Sequence, residues 1–130
     1  MKRALERGSA LLALFLIPLL LAVLPLPAVL AVCDNWPSLG ASGATPHALA
    51  DRVRRWLSVG RGPWTSSCLT RSLVLYALLR QHGFRPQLSL GVEGRSRDFA
   101  AHAWVSLGGV PVEAPLDIAN RYRPLLVHGG

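Results

Sequence analysis

The chain has 130 residues, 14 of them Lys or Arg and 7 Asp or Glu, for a net charge of +7. That length holds one domain of ordinary size and excludes two once the apolar N-terminus is set aside. The arginines are scattered singly or in short runs, with no basic helix face interleaved with aromatics, no zinc-ligand spacing and no phosphate-binding glycine loop. Nucleic-acid binding, a resident metal and a nucleotide cofactor are therefore set aside, and the charge suits an anionic membrane surface or an acidic peptide.

Residues 10–32 carry no charged side chain. At about 1.5 Å per helical residue the run is long enough for a hydrocarbon core of roughly 30 Å. It has three readings. Lys2, Arg3 and Arg7 before a Leu-rich stretch, with Ala28 and Ala31 after it, fit a secretory signal. Length alone fits a single-pass anchor, although Pro18, Pro25 and Pro27 each remove a backbone donor. The third reading is a helical segment, broken by those prolines, that packs on the domain or lies on a membrane surface. The expected organisation is a hydrophobic segment over residues 1–33, a Gly/Ser/Asn/Pro-rich linker over 34–44 and a folded domain over 45–130.

Thr45-Pro46 is a helix start, a capping hydroxyl followed by a proline at the first helical position. Leu49, Val53, Trp56 and Leu57 recur at helical spacing, and the pattern predicts a helix ending near residue 59, before Gly60. Ser66-Ser67 caps a second helix over 68–82, closed by Gly83, with Leu69, Leu73, Tyr76, Ala77 and Leu79 as its apolar side. The period then changes to two. Leu88, Leu90 and Val92 alternate with Gln87, Ser89 and Gly91 as a half-buried strand, and a polar loop over 93–98 follows. Residues 99–107 alternate again, and Gly108-Gly109 makes a two-residue hairpin into residues 110–114. The predicted class is α+β, with N-terminal helices packed on a small antiparallel sheet.

Two residues in this frame suit thiol chemistry. Cys68 opens its helix, where unpaired backbone N–H groups and the helix dipole favour an anion, although a buried structural cysteine is the commoner case. His102 sits in a strand on the side opposite Ala103 and Val105. If helix and sheet pack as the pattern predicts, the helix tip meets this strand and supplies the Cys–His pairing that thiol catalysis requires. With Gly108-Gly109 as the loop, Leu107 pairs with Val110, which sets His102 opposite Pro115, with Glu113 and Asp117 as diagonal neighbours. Either carboxylate can orient the imidazole, and Asp117 is placed ahead of Glu113. Trp104 and Trp64 suit either the rim of a substrate groove or packing, and Arg71 suits an acidic peptide. His47, His82 and His128 read as surface residues.

The blocks Trp64-Thr65-Ser66-Ser67-Cys68-Leu69-Thr70-Arg71-Ser72-Leu73, Leu78-Leu79-Arg80-Gln81-His82-Gly83, Leu90-Gly91-Val92 and Ala101-His102-Ala103-Trp104-Val105 resemble the leader peptidases of lasso-peptide biosynthesis. These are bacterial cysteine proteases of papain/transglutaminase-like fold, and the resemblance covers about residues 46–124. It implies a Cys68-His102-carboxylate triad that cuts the leader from a ribosomally made precursor peptide and needs no cofactor. It also implies two partners, a PqqD-like protein that delivers the leader and an ATP-dependent, asparagine-synthetase-like cyclase that closes the product. The acid of that family usually follows soon after the histidine strand. This chain departs by placing Glu113-Ala114 there and Asp117 further on. Because the implied cyclase uses ATP, the expected location is the cytoplasm, with the N-terminal segment as a means of attachment to the inner face of the membrane.

Two alternatives stand beside this reading. On the same scaffold an amine in place of water makes the protein an acyltransferase. A Cys33–Cys68 disulfide would make it instead a non-catalytic, membrane-anchored binding module.

Overall fold

Gly83 ends the central helix of the protein, and the way it does so locates everything that follows. In the computed structural model, which describes residues 12–13, 16–17, 19–21, 23–36, 45–57, 68–93, 100–112 and 122–129, Gly83 has φ +87°. Its N–H donates to the Arg80 carbonyl at 3.1 Å, and the Phe84 N–H reaches back to Leu79 at 2.9 Å. This is a Schellman closure, which needs a left-handed residue and so favours glycine. The helix it closes, Cys68–Gln81, is α3; before it come α1 (Leu26–Asp34) and α2 (Pro46–Leu57). The four strands are β1 (Pro86–Glu93), β2 (Ala100–Leu107), β3 (Val110–Val112) and β4 (Arg123–Gly129).

Helix α2 starts as the Thr45-Pro46 pair predicts, with the Thr45 hydroxyl accepting the Ala48 N–H at 3.1 Å. Leu49, Ala50, Val53 and Leu57 are buried. Trp56 departs from the expected stripe, being 38 % exposed with the Arg52 guanidinium 6.0 Å from its ring centre. One turn of register explains the difference. Leu49, Val53 and Leu57 already fill the inward line at i, i+4 and i+8, and Trp56 stands beside it.

Helix α3 is apolar on more than the one side expected. Every residue from Leu73 to Leu79 is buried, together with Thr70, Ser72 and Gln81. One side meets β1 and β2, while α1 and α2 pack on the others. The hydrophobic N-terminal run supplies part of that cover: Ala13, Ile17, Val29, Leu30, Cys33 and Trp36 belong to the same buried cluster as α3. Pro25 interrupts the run. Pro25 is extended (φ −66°, ψ 153°) and precedes α1, which has a proline in its first turn. Among the described residues no helix is long and apolar enough to cross a membrane.

The sheet is antiparallel in the order β3-β2-β1-β4. Gly108 (φ +55°) and Gly109 (φ +83°) form the expected two-residue hairpin. Leu107 pairs with Val110 and Val105 with Val112, the register that the glycine pair implies. Leu88, Val105 and Val112 lie in the core shared with α3. Strand β4 is absent from the sequence-based expectation. Its segment carries Pro124, and Leu125 and Val127 are 70 % and 52 % exposed; consecutive apolar residues there conceal the period of two. Only its pairing with β1, which shifts register between Leu90 and Gly91, makes it a strand.

Asp34, expected to begin a linker, ends α1 and joins three elements. Its carboxylate accepts the Tyr76 hydroxyl at 2.7 Å and lies 2.7 Å from Nε2 of His128, while its carbonyl accepts the Arg80 guanidinium at 2.8 Å. His128 is therefore a half-buried partner of α1 rather than a surface residue, and His82 is also buried; His47 is exposed. Burial, reinforced by the hydrogen bond to Asp34 and its charge, pushes the Tyr76 hydroxyl up to about 12.

Candidate active site

Cys68 is the first residue of α3 and is half-buried. Its Ser66-Ser67 cap lies outside the described residues. The helix begins here, so its first-turn N–H groups have no partner within it and the helix dipole favours an anion at this end.

A cavity of about 80 Å³ opens beside this tip. Cys68, Arg71, Ser72 and Leu75 of α3 form one wall, Ala50 and Val53 of α2 close it, and Val112 of β3 adds an apolar edge. The opposite wall is β2, from His102 through Val105. Successive residues of a strand point to opposite faces. The cavity touches His102, Ala103, Trp104 and Val105, residues from both faces of β2. The structure thus brings Cys68, His102, Trp104 and Arg71 around one space. Trp64, Glu113 and Asp117 lie outside the described residues.

His102 is held in an aromatic stack. Its ring lies 6.4 Å from Trp104 and 5.5 Å from Tyr122, with interplanar angles of 21° and 28°. Trp104 and Tyr122 meet in turn at 6.0 Å. Trp104 is only 6 % exposed, so its ring packs behind the imidazole while the residue also lines the cavity. Gly91, the cross-strand partner of His102, makes room for the stack. A Cβ there would lie 2.7 Å from the Tyr122 Cβ, 3.1 Å from the Arg123 carbonyl and 3.2 Å from the Trp104 ring. Gly91→Ala is expected to displace Tyr122 and loosen His102, lowering turnover at least tenfold on the usual scale for misplacement by about 1 Å. Comparison of kcat with the urea midpoint checks this: kcat falls by more than a shared loss of stability explains. A glycine within an alternating strand is the signal that marks this position in the sequence. Tyr122 carries no such signal.

The other cysteine is unsuited to attack. Cys33 is buried against α3, its thiol 3.9 Å from the Leu73 carbonyl. Burial, with the neighbouring Asp34 charge adding to it and Arg80 opposing it, pushes its pKa up to about 12, so it remains a thiol. Both cysteines are free, and the bridged arrangement of the binding-module alternative is not the one the structure adopts. Among the described residues no group of three His, Cys, Asp or Glu side chains is placed to hold a metal ion.

No curated protein and no solved structure matches the chain. The profile of the transglutaminase-like superfamily matches residues 11–127, and so takes in α1 to α3 and β1 to β3 and ends within β4. That superfamily includes cysteine proteases and acyltransferases, and its members are typically cysteine-dependent enzymes. An α+β fold with a cysteine at the tip of its central helix and a histidine on the adjoining strand agrees with that match, and the chain belongs to the transglutaminase-like superfamily.

Proposed function

We propose that the protein is a cysteine peptidase that removes the leader from a ribosomally made lasso-peptide precursor. The observation that carries the reading is the cavity that Cys68 and His102 line together, between the tip of α3 and β2. In this mechanism His102 takes the thiol proton and the Cys68 sulfur attacks the scissile carbonyl. The tetrahedral oxyanion is met by the Cys68 backbone N–H and one further donor. His102 then returns the proton to the departing amine, and water, deprotonated by His102, hydrolyses the thioester and releases the leader. Asp117, or Glu113, orients the imidazole and balances its charge, with Trp64 and Trp104 flanking the peptide.

The sequence blocks around Cys68 and His102 support the lasso-precursor assignment within the superfamily. With it come a PqqD-like protein delivering the leader and an ATP-dependent, asparagine-synthetase-like cyclase receiving the freed amino terminus. A cytoplasmic site follows from the cyclase's use of ATP. Leu12, Leu19, Val23 and Leu24 of the N-terminal segment are exposed, an apolar surface that favours contact with the inner face of the membrane.

The test is incubation of the full chain with the precursor and recognition protein from neighbouring reading frames, read by intact mass. Two fragments whose masses sum to precursor plus one water are expected. Precursor that stays intact overturns the assignment, and a product carrying an added amine in place of water identifies an acyltransferase.

A further inference from the structure

Among the described residues Arg71 is the one formally charged side chain lining the cavity, and the superfamily match does not account for it. It stands three residues after Cys68 on α3, so the two share a helix face. The residue is half-buried, and its Nε is buried with no hydrogen-bond partner among the described residues. The ion pairs found among them are Arg54–Asp51 and His128–Asp34, and neither involves Arg71. Arg80, the other arginine with an unpartnered buried Nε, lies elsewhere and donates to Asp34. A guanidinium stays charged, and its planar fork matches a carboxylate. Among the described residues none of the other side chains lining the cavity is acidic. Its volume of about 80 Å³ leaves room for a short side chain beside the guanidinium.

We propose that Arg71 forms a carboxylate-binding subsite beside Cys68, so that the preferred acyl donor is a peptide with Asp or Glu as the residue whose carbonyl is attacked. This rests on the reading of Cys68 as nucleophile and names the substrate class for it. Arg71 is then a specificity-determining residue. It holds the side chain of the residue being cut and places that residue's carbonyl against the sulfur.

Two irreversible probes test this on the full chain, acetyl-alanyl-glutamyl and acetyl-alanyl-glutaminyl chloromethyl ketone, with iodoacetamide as a small neutral reagent. In each case the Cys68 sulfur forms a bond to the methylene carbon and halide departs. Rates are read by mass spectrometry of the Cys68 peptide. The wild type should react about tenfold faster with the glutamyl probe than with the glutaminyl one, the scale of one partly screened charge pair. Arg71→Gln should bring the ratio near one, and Arg71→Lys should keep most of it. Because the readout is a ratio, any general loss of thiol reactivity cancels, and the wild-type preference stands even if a variant folds poorly. Equal rates in the wild type, or a preference that survives Arg71→Gln, overturn the subsite while leaving the nucleophile reading intact. A Cys68 inert to all three reagents overturns both.

Discussion

Cys68→Ala is expected to abolish peptide cleavage, leaving no product above the uncatalysed background, while the protein folds with near wild-type stability. The sulfur is the bond-forming atom of the proposed reaction, and alanine removes it without disturbing the helix start. His102→Ala should lower turnover by about 10²–10⁴-fold, the range for loss of a positioned general base. Both are read in the precursor assay, with urea denaturation beside it to show that the fold is retained. A companion measurement separates the cysteines. At pH 7.5 one equivalent of iodoacetamide should enter at Cys68, whereas Cys33, buried and with its pKa pushed up to about 12, should be labelled only after unfolding. A Cys68→Ala protein that still cuts the precursor would remove the thiol mechanism.

The second large effect concerns the N-terminus. A chain beginning at residue 37 should fail to fold cooperatively, because it lacks Ile17, Val29, Leu30, Cys33 and Trp36, all buried in the common core. It would also lack Asp34, the acceptor for Tyr76 and Arg80 and the partner of His128. The milder Trp36→Ala should cost about 3 kcal/mol, the low end for deleting a buried aromatic. It also leaves Gln81 without the indole N–H, which sits 3.3 Å from its side-chain oxygen. Urea unfolding followed by near-UV circular dichroism checks both. A truncated chain with the wild-type midpoint and slope would mean that the segment is only an appendage, as a simple anchor is.

This second prediction could not have been drawn from the sequence. An apolar run broken by prolines satisfies a signal, an anchor or a packing segment equally, because each requires only a lack of charge. The choice depends on whether a complementary apolar surface exists elsewhere, and that surface is the back of α3. A trace of it is visible in the chain. The residues from Leu73 to Leu79 are apolar around most of the helix, which a helix laid on a single sheet does not require.

What the sequence determined by itself is local. A proline after a threonine starts α2, Gly83 stops α3, alternation marks β1 and β2, and two glycines turn the hairpin and set Leu107 against Val110. These features depend on backbone conformation and on contacts within a few residues, so they can be read from short stretches. From them Cys68 falls at a helix tip and His102 on a strand. Tertiary structure decided the rest. It recruited β4 beside β1, drew His128 to Asp34 across most of the chain length, and set Tyr122 against His102 over the space left by Gly91. Such pairings join residues far apart in sequence, and each forms only once the packing of the whole has brought its partners together.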